Sequence, residues 1–145
     1  MLAESREVER AGIILRAQAG ECRGCAMLKL SPKDAIRFIG FATSIPGDLL
    51  ADRPDARETE PHVTVLFGLH DPDPTPVRAL MADQGPIRLT FGKLSVFRNK
   101  DFDVLKVSVK KTNRLADFNR LLRALPHTND YPEYVPHLTI AYLKP

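Results

Sequence analysis

Apolar and polar residues alternate in two stretches of the second half of the chain, and this pattern predicts two strands. In residues 87–92 and 105–110 every second side chain is apolar, which is typical of half-buried strands. Residues 94–97 continue the first strand, and residues 99–101, of sequence Asn-Lys-Asp, predict a turn between the two. We therefore expect an antiparallel hairpin in this part of the chain.

Helices and further strands follow from the spacing of apolar residues and from residues that often end helices. Thr112 is a plausible N-cap for a helix that ends at Pro126, and Ser31-Pro32 predicts the start of another that reaches about Phe41. Residues Ile45–Glu60 hold three prolines or glycines and five acidic residues, which predicts a long surface loop that could act as a mobile flap. The remaining predictions are a short helix at Pro76–Ala82 and strands at Cys25–Leu30, Pro61–Leu69 and Pro136–Leu143.

The N-terminal part fits two interpretations. Residues 4–18 have apolar positions at helical spacing, which slightly favours a helix, but Gly12–Ala17 could instead pair with Cys25–Leu30 as a hairpin. Residues 1–24 are therefore treated as a peripheral part of one domain that spans residues 1–145. The order β-α-loop-β-α-β-β-α-β predicts an α+β fold with helices outside mixed sheets.

Composition and charge exclude several classes of protein. The 145 residues suit one domain, and 43% hydrophobic with 27% charged residues argues against disorder. No stretch approaches the ~18 apolar residues of a membrane span, and the first residues lack the apolar core of a signal peptide, so we expect a cytoplasmic protein without a membrane partner. The net charge of +3 is too small to predict duplex nucleic-acid binding, but Lys93–Arg123 holds nine basic and three acidic residues and could attract a small anion. Cys22 and Cys25 are interpreted as incidental thiols, because a zinc site would need a second ligand pair.

One short strand sequence occurs twice, 75 positions apart. Residues 61–67 read Pro-His-Val-Thr-Val-Leu-Phe and residues 136–142 read Pro-His-Leu-Thr-Ile-Ala-Tyr. Because side chains alternate along a strand, His62 and Thr64 project from one face and Val63, Val65 and Phe67 from the other. The same alternation separates His137 and Thr139 from their apolar neighbours. Each copy therefore presents one histidine and one threonine on a rigid element.

Two histidines and two threonines suit acid-base chemistry on a phosphodiester. One imidazole can take a proton from a hydroxyl nucleophile while the other protonates the leaving oxygen. Threonine hydroxyls can donate hydrogen bonds to the non-bridging phosphate oxygens. We therefore predict catalysis by His62, Thr64, His137 and Thr139 without a metal or other cofactor. His70 and His127 are interpreted as ordinary loop histidines.

The two motif segments resemble the paired H-x-T-x motifs of the 2H phosphoesterase superfamily over roughly residues 25–145. Glu60–His70 and Pro136–Pro145 are most similar to the bacteriophage branch, whose members degrade cyclic oligonucleotide messengers of bacterial antiphage (CBASS) signalling. The resemblance implies a bilobal fold, in which two small mixed or antiparallel sheets, each with one motif, surround a central cleft and carry helices outside. It also implies that the four motif residues are catalytic, that no metal is used and that a phage-encoded protein would act in the cytoplasm of the host cell.

The expected substrate is a cyclic di- or trinucleotide, in which a ribose 2′-hydroxyl attacks the adjacent phosphorus and leaves a 2′,3′-cyclic phosphate. Lys106, on the polar face of its strand, could offset phosphate charge, and Tyr134 could stack on a base. Two alternatives stay open: opening of terminal 2′,3′-cyclic phosphates or other RNA-end processing, and a non-catalytic protein that only binds cyclic nucleotides. The sequence does not predict an oligomeric state.

Overall fold

The computed structural model of the chain describes the backbone of residues 5–8 and, in full, residues 24–129 and 131–145. Within these ranges the chain forms strands, α-helices and one 3₁₀ turn at Gly47–Leu49. The strands are β1 (Ser5–Val8), β2 (Gly24–Lys29), β3 (His62–Leu69), β4 (Ile87–Leu89), β5 (Phe91–Phe97), β6 (Asp103–Val109) and β7 (His137–Leu143). The α-helices are α1 (Pro32–Ser44), α2 (Thr75–Met81) and α3 (Asn113–Leu122).

Helices α1 and α3 begin at the predicted caps. The Ser31 side chain accepts a hydrogen bond from the backbone N–H of Asp34, and Pro32 occupies the first turn of α1, where no N–H is needed. The Thr112 hydroxyl accepts a hydrogen bond from the backbone N–H of Leu115 at the start of α3. Both predicted N-caps are confirmed, although α1 continues past Phe41 to Ser44.

Five strands form one antiparallel sheet in the order β2-β3-β7-β6-β5, and β1 pairs with β4 in a separate two-stranded sheet. The predicted α+β class is confirmed. The prediction that each motif occupies its own sheet is wrong, because β3 and β7 are neighbours through the antiparallel pair Val63–Leu138. A division of the molecule into two lobes stays a prediction.

One face of the five-stranded sheet holds the core. Val63, Leu138 and Val107 are fully buried, and they belong to a cluster that includes Phe38 of α1 and Phe118 of α3. Burial of such side chains is the main stabilising contribution to a domain of this size. Val63, Val65, Leu138 and Ile140 therefore anchor both motif strands in this core, whereas the histidine and threonine positions between them are half-buried.

The loop at Ile45–Glu60 differs from the predicted mobile flap, because it is bonded to β7. The backbone N–H groups of Ala51 and Glu58 donate to the carbonyl oxygens of Tyr142 and Ile140, at 2.9 and 3.0 Å. In the opposite direction, the N–H of Tyr142 donates to the carbonyl of Ala56 at 2.7 Å. The loop thus satisfies part of the β7 edge that β3 leaves free.

The helix predicted for residues 4–18 is not formed at Ser5–Val8. Ser5–Val8 forms a strand that pairs with β4, so these residues do not begin a helix. Pairing with β4 gives the backbone N–H and C=O groups of this segment partners on a distant strand, and the local sequence pattern cannot predict such pairing. The remainder of the 4–18 segment, the alternative hairpin strand Gly12–Ala17 and Cys22 lie outside the described residues. No helix among the described residues is long and apolar enough to cross a membrane.

Candidate active site

The two motif strands bring their histidines and threonines onto one face of the sheet. Because Val63 lies opposite Leu138 in an antiparallel pair, His62 lies opposite Thr139 and Thr64 lies opposite His137. We call these four residues the His-Thr quartet. The histidines occupy one diagonal of the quartet and the threonines the other, with diagonal neighbours about 7–8 Å apart at their backbones. The structure therefore brings together the four residues that the repeat singled out.

A backbone carbonyl orients each histidine of the quartet. His62 Nδ1 lies 2.8 Å from the carbonyl oxygen of Glu60, and His137 Nδ1 lies 3.0 Å from that of Val135. A carbonyl oxygen can only accept, so Nδ1 carries the hydrogen and donates it. Nε2 is then the atom that binds or releases a proton in each ring. The proline that precedes each histidine separates it from the carbonyl-bearing residue, so the repeated Pro-His pair produces the same arrangement twice.

His137 is biased towards its neutral form. Burial lowers its pKa from the ordinary value, and the charges of Lys106 and His62 lower it further, against the opposing effect of the Val135 carbonyl. A neutral imidazole at neutral pH can accept a proton, which suits a general base. These electrostatic effects also indicate that Lys106 and His62 lie near His137.

Lys106 and Ser108 extend the site onto β6. Lys106 lies opposite Thr139 and Ser108 lies opposite His137, so both side chains share the face of the quartet. The hydroxyl of Ser108 accepts a hydrogen bond from the backbone N–H of Lys93 at 2.9 Å. A side chain at Gly92 would collide with this hydroxyl unless the Ser108 side chain rotated and gave up its hydrogen bond with Lys93. Lys106 was predicted from its strand face, whereas Ser108 was missed because the register between β6 and β7 cannot be read from local alternation.

Tyr134 links the segment before β7 to β3. Its hydroxyl donates a hydrogen bond to the backbone carbonyl oxygen of Thr64 at 2.9 Å, and its ring packs against the core. Burial raises the pKa of Tyr134, which keeps the phenol protonated and able to donate. This hydrogen bond holds the backbone of the first motif strand, at Thr64, close to the segment that leads into the second motif strand. The predicted stacking on a base stays a prediction.

The other histidines lie at the far end of β3 from His62. His70 Nε2 lies 2.6 Å from the hydroxyl oxygen of Thr128, and His127 forms a bridge with Leu69. Among the residues that the structure describes, no three His, Cys, Asp or Glu side chains come together as a metal site would require. A cavity of about 330 Å³ lies beneath the loop around Arg53, and no quartet residue lines it. Catalysis by the quartet stays a prediction.

Comparison with known proteins gives one match. A family model described as the 2′-5′ RNA ligase superfamily matches residues 34–145, a range that contains the whole quartet, Lys106 and Tyr134. No curated protein and no solved structure matches the chain.

Proposed function

The chain belongs to the 2′-5′ RNA ligase superfamily, whose members are 2H phosphoesterases, and from this premise we propose that it cleaves phosphodiesters by acid-base catalysis between His62 and His137. The observation that carries the proposal is the crossed arrangement of the quartet, with histidines on one diagonal and threonines on the other. In-line displacement at phosphorus requires the attacking and leaving oxygens on opposite sides. Histidines on one diagonal would serve those two oxygens, and threonines on the other would donate to the non-bridging oxygens.

We assign the proton transfers from the electrostatics of the site. His137, with its lowered pKa, removes the proton from the ribose 2′-hydroxyl through Nε2 as the oxygen attacks phosphorus. The bond from phosphorus to the 5′-oxygen breaks, and His62, as the general acid of the pair, gives a proton to that oxygen. The products are a 2′,3′-cyclic phosphate and a free 5′-hydroxyl. Exchange with solvent then returns the proton from His137 to His62.

Lys106 supports this chemistry through its charge. Its side chain is half-buried beside Thr139, and no carboxylate pairs with it among the described residues. An ammonium group there would compensate the charge that grows on the phosphate oxygens in the transition state. The same charge helps to keep His137 neutral, so one residue serves both the substrate and the base.

The proposed substrate is a cyclic di- or trinucleotide. Support for this finer assignment comes from the segments Glu60–His70 and Pro136–Pro145, which resemble the bacteriophage enzymes that degrade messengers of antiphage signalling. On this proposal the protein counters that signalling in the host cytoplasm. The description of the matching family names RNA, which favours the second candidate, RNA-end processing. Both candidates use the same quartet.

A substrate screen tests the proposal. Cyclic di- and trinucleotides and a linear RNA with a terminal 2′,3′-cyclic phosphate are incubated with the protein, and products are identified by mass. We expect a cyclic substrate to be opened, the activity to survive EDTA, and the double variant His62→Ala/His137→Ala to be inactive. The matched control His70→Ala removes a histidine outside the quartet and should retain activity. Loss of activity in EDTA would assign the reaction to a metal-dependent hydrolase, and recovery of unchanged bound ligand would assign the protein as a binder.

A further inference from the structure

A row of polar side chains crosses the five-stranded sheet through the quartet. Lys29 of β2 lies opposite His62, Lys106 lies opposite Thr139, and Ser95 of β5 lies opposite Lys106. Because His62 lies opposite Thr139, all five side chains share one row and one face. Lys29 and Lys106 therefore flank the quartet on opposite sides.

The charge along this row is entirely positive. Neither lysine has a carboxylate partner among the described residues, whereas Lys111 on another segment pairs with Glu133. The next row along the strands contains Thr64, His137 and Ser108, again without a carboxylate. A face of this composition attracts an anion larger than the single phosphate that the quartet can hold.

The two lysines are too far apart to serve one phosphate in the same way. Their backbones are separated by three strand spacings, roughly 14 Å. Lys106 acts on the electrostatics of His137 and so belongs to the reacting centre. Lys29 is exposed at the other end of the row, beyond His62.

We propose that Lys29 binds a second phosphate of the substrate, one nucleoside removed from the scissile phosphodiester. This inference rests on the proposed function, in which His62 protonates the leaving 5′-oxygen. The leaving nucleoside then lies on the His62 side, and its 3′-phosphate is the group that reaches Lys29. The preferred substrate class is therefore a cyclic or linear oligonucleotide with at least two phosphates, not a nucleotide with a single phosphate.

A matched pair of substrates tests the role of Lys29. Adenylyl-(3′→5′)-adenosine has one phosphate, and its 3′-phosphorylated form adds only the phosphate that Lys29 is expected to bind. We expect the unmodified protein to prefer the phosphorylated form by about tenfold in kcat/KM, since a hydrogen bond to a charged group contributes on this scale. Lys29→Gln should remove that preference, mainly through KM, and should leave cleavage of the unphosphorylated form unchanged.

The control is Lys33→Gln, which removes the same charge from an exposed position on α1 and should keep the preference. Equal losses on both substrates in Lys29→Gln would place Lys29 at the scissile phosphate, and no loss on either would make it a solvated side chain. Either result overturns the inference.

Binding separates this inference from the proposed function. The 2′-deoxy forms of both dinucleotides lack the nucleophile, so calorimetry can measure their affinities without cleavage. Tighter binding of the phosphorylated form, lost in Lys29→Gln, together with absence of cleavage of the ribose forms, would retain the phosphate site and reject the enzyme. Cleavage of the ribose forms without any effect of Lys29→Gln would retain the enzyme and reject the phosphate site.

Discussion

Replacing Tyr134 with phenylalanine removes one hydroxyl that connects the two halves of the site. That hydroxyl donates to the Thr64 carbonyl at 2.9 Å, an ordinary length for a hydrogen bond between neutral groups. β3 and β7 pair directly at Val63–Leu138, next to Thr64. The tyrosine therefore adds a side-chain link between the segment before β7 and the strand that carries the first motif.

The expected loss of stability arises because the Thr64 carbonyl oxygen loses its hydrogen-bond donor. Tyr134→Phe keeps the ring and its packing, so the change is the loss of one hydrogen bond and a carbonyl that is partly shielded from water. Such a change destabilises a folded protein by ~1–2 kcal/mol, which lowers the melting temperature by roughly 3–6 °C in a domain of this size. Because Thr64 lies at the freed carbonyl, we also expect kcat to fall while KM for a phosphodiester substrate changes little.

Urea denaturation and steady-state kinetics measure both effects. Tyr131→Phe is the matched control, because Tyr131 is 64% exposed in the same loop and its hydroxyl should be dispensable. If Tyr134 acts by stacking on a base, Tyr134→Phe will preserve stability and turnover, while Tyr134→Leu will raise KM. A free energy of unfolding for Tyr134→Phe within about 0.5 kcal/mol of the unmodified protein would show that the hydroxyl contributes nothing measurable, since neutral surface substitutions fall within this range.

Three further predictions concern the pKa of His137, the packing at two glycines and the effect of metal removal. Burial lowers the pKa of His137, and the charge of Lys106 lowers it further. Lys106→Met should therefore raise that pKa and move the acidic limb of the kcat/KM profile to higher pH. An unmoved limb would show that Lys106 does not act on the base. Gly92→Ala should destabilise the protein by ~1 kcal/mol in urea, because the new methyl group displaces the Ser108 hydroxyl from its hydrogen bond with the Lys93 N–H. Gly40→Ala, where nothing lies within 4 Å, should stabilise α1 by about 0.5–1 kcal/mol, and equal effects at the two glycines would contradict the packing argument. Finally, prolonged dialysis against EDTA should leave kcat unchanged, and restoration of a lost rate by added metal would disprove the metal-independent reaction.

The quartet could be predicted because its signal is local and repeated. Each copy of Pro-His-x-Thr lies on a strand whose alternation separates polar from apolar positions, so His62 and Thr64 had to share a face. The caps at Ser31 and Thr112 are equally local, since each depends on hydrogen bonds within one turn.

Features that depend on pairing between distant strands could not be predicted in the same way. Nothing near Lys29 or Ser108 in the sequence indicates which residue lies opposite on the neighbouring strand, and a shift by one residue would turn either side chain to the other face. The placement of both motifs in one sheet has the same origin. The hydrogen bond between Ala51 and Tyr142 likewise connects residues 91 positions apart, so the sequence of the Ile45–Glu60 loop gave no local indication that the loop would bond to β7.

In the proposed reaction two histidines act together as base and acid, and the kinetics of single and double variants measure this cooperation. We predict that His62→Ala and His137→Ala each lower kcat/KM on the best cyclic dinucleotide by about 10²–10⁴-fold, and that the double variant is little worse than either, because the two transfers serve one step. If either single variant retains more than about a tenth of the original kcat/KM, the two histidines do not act as a base and acid pair.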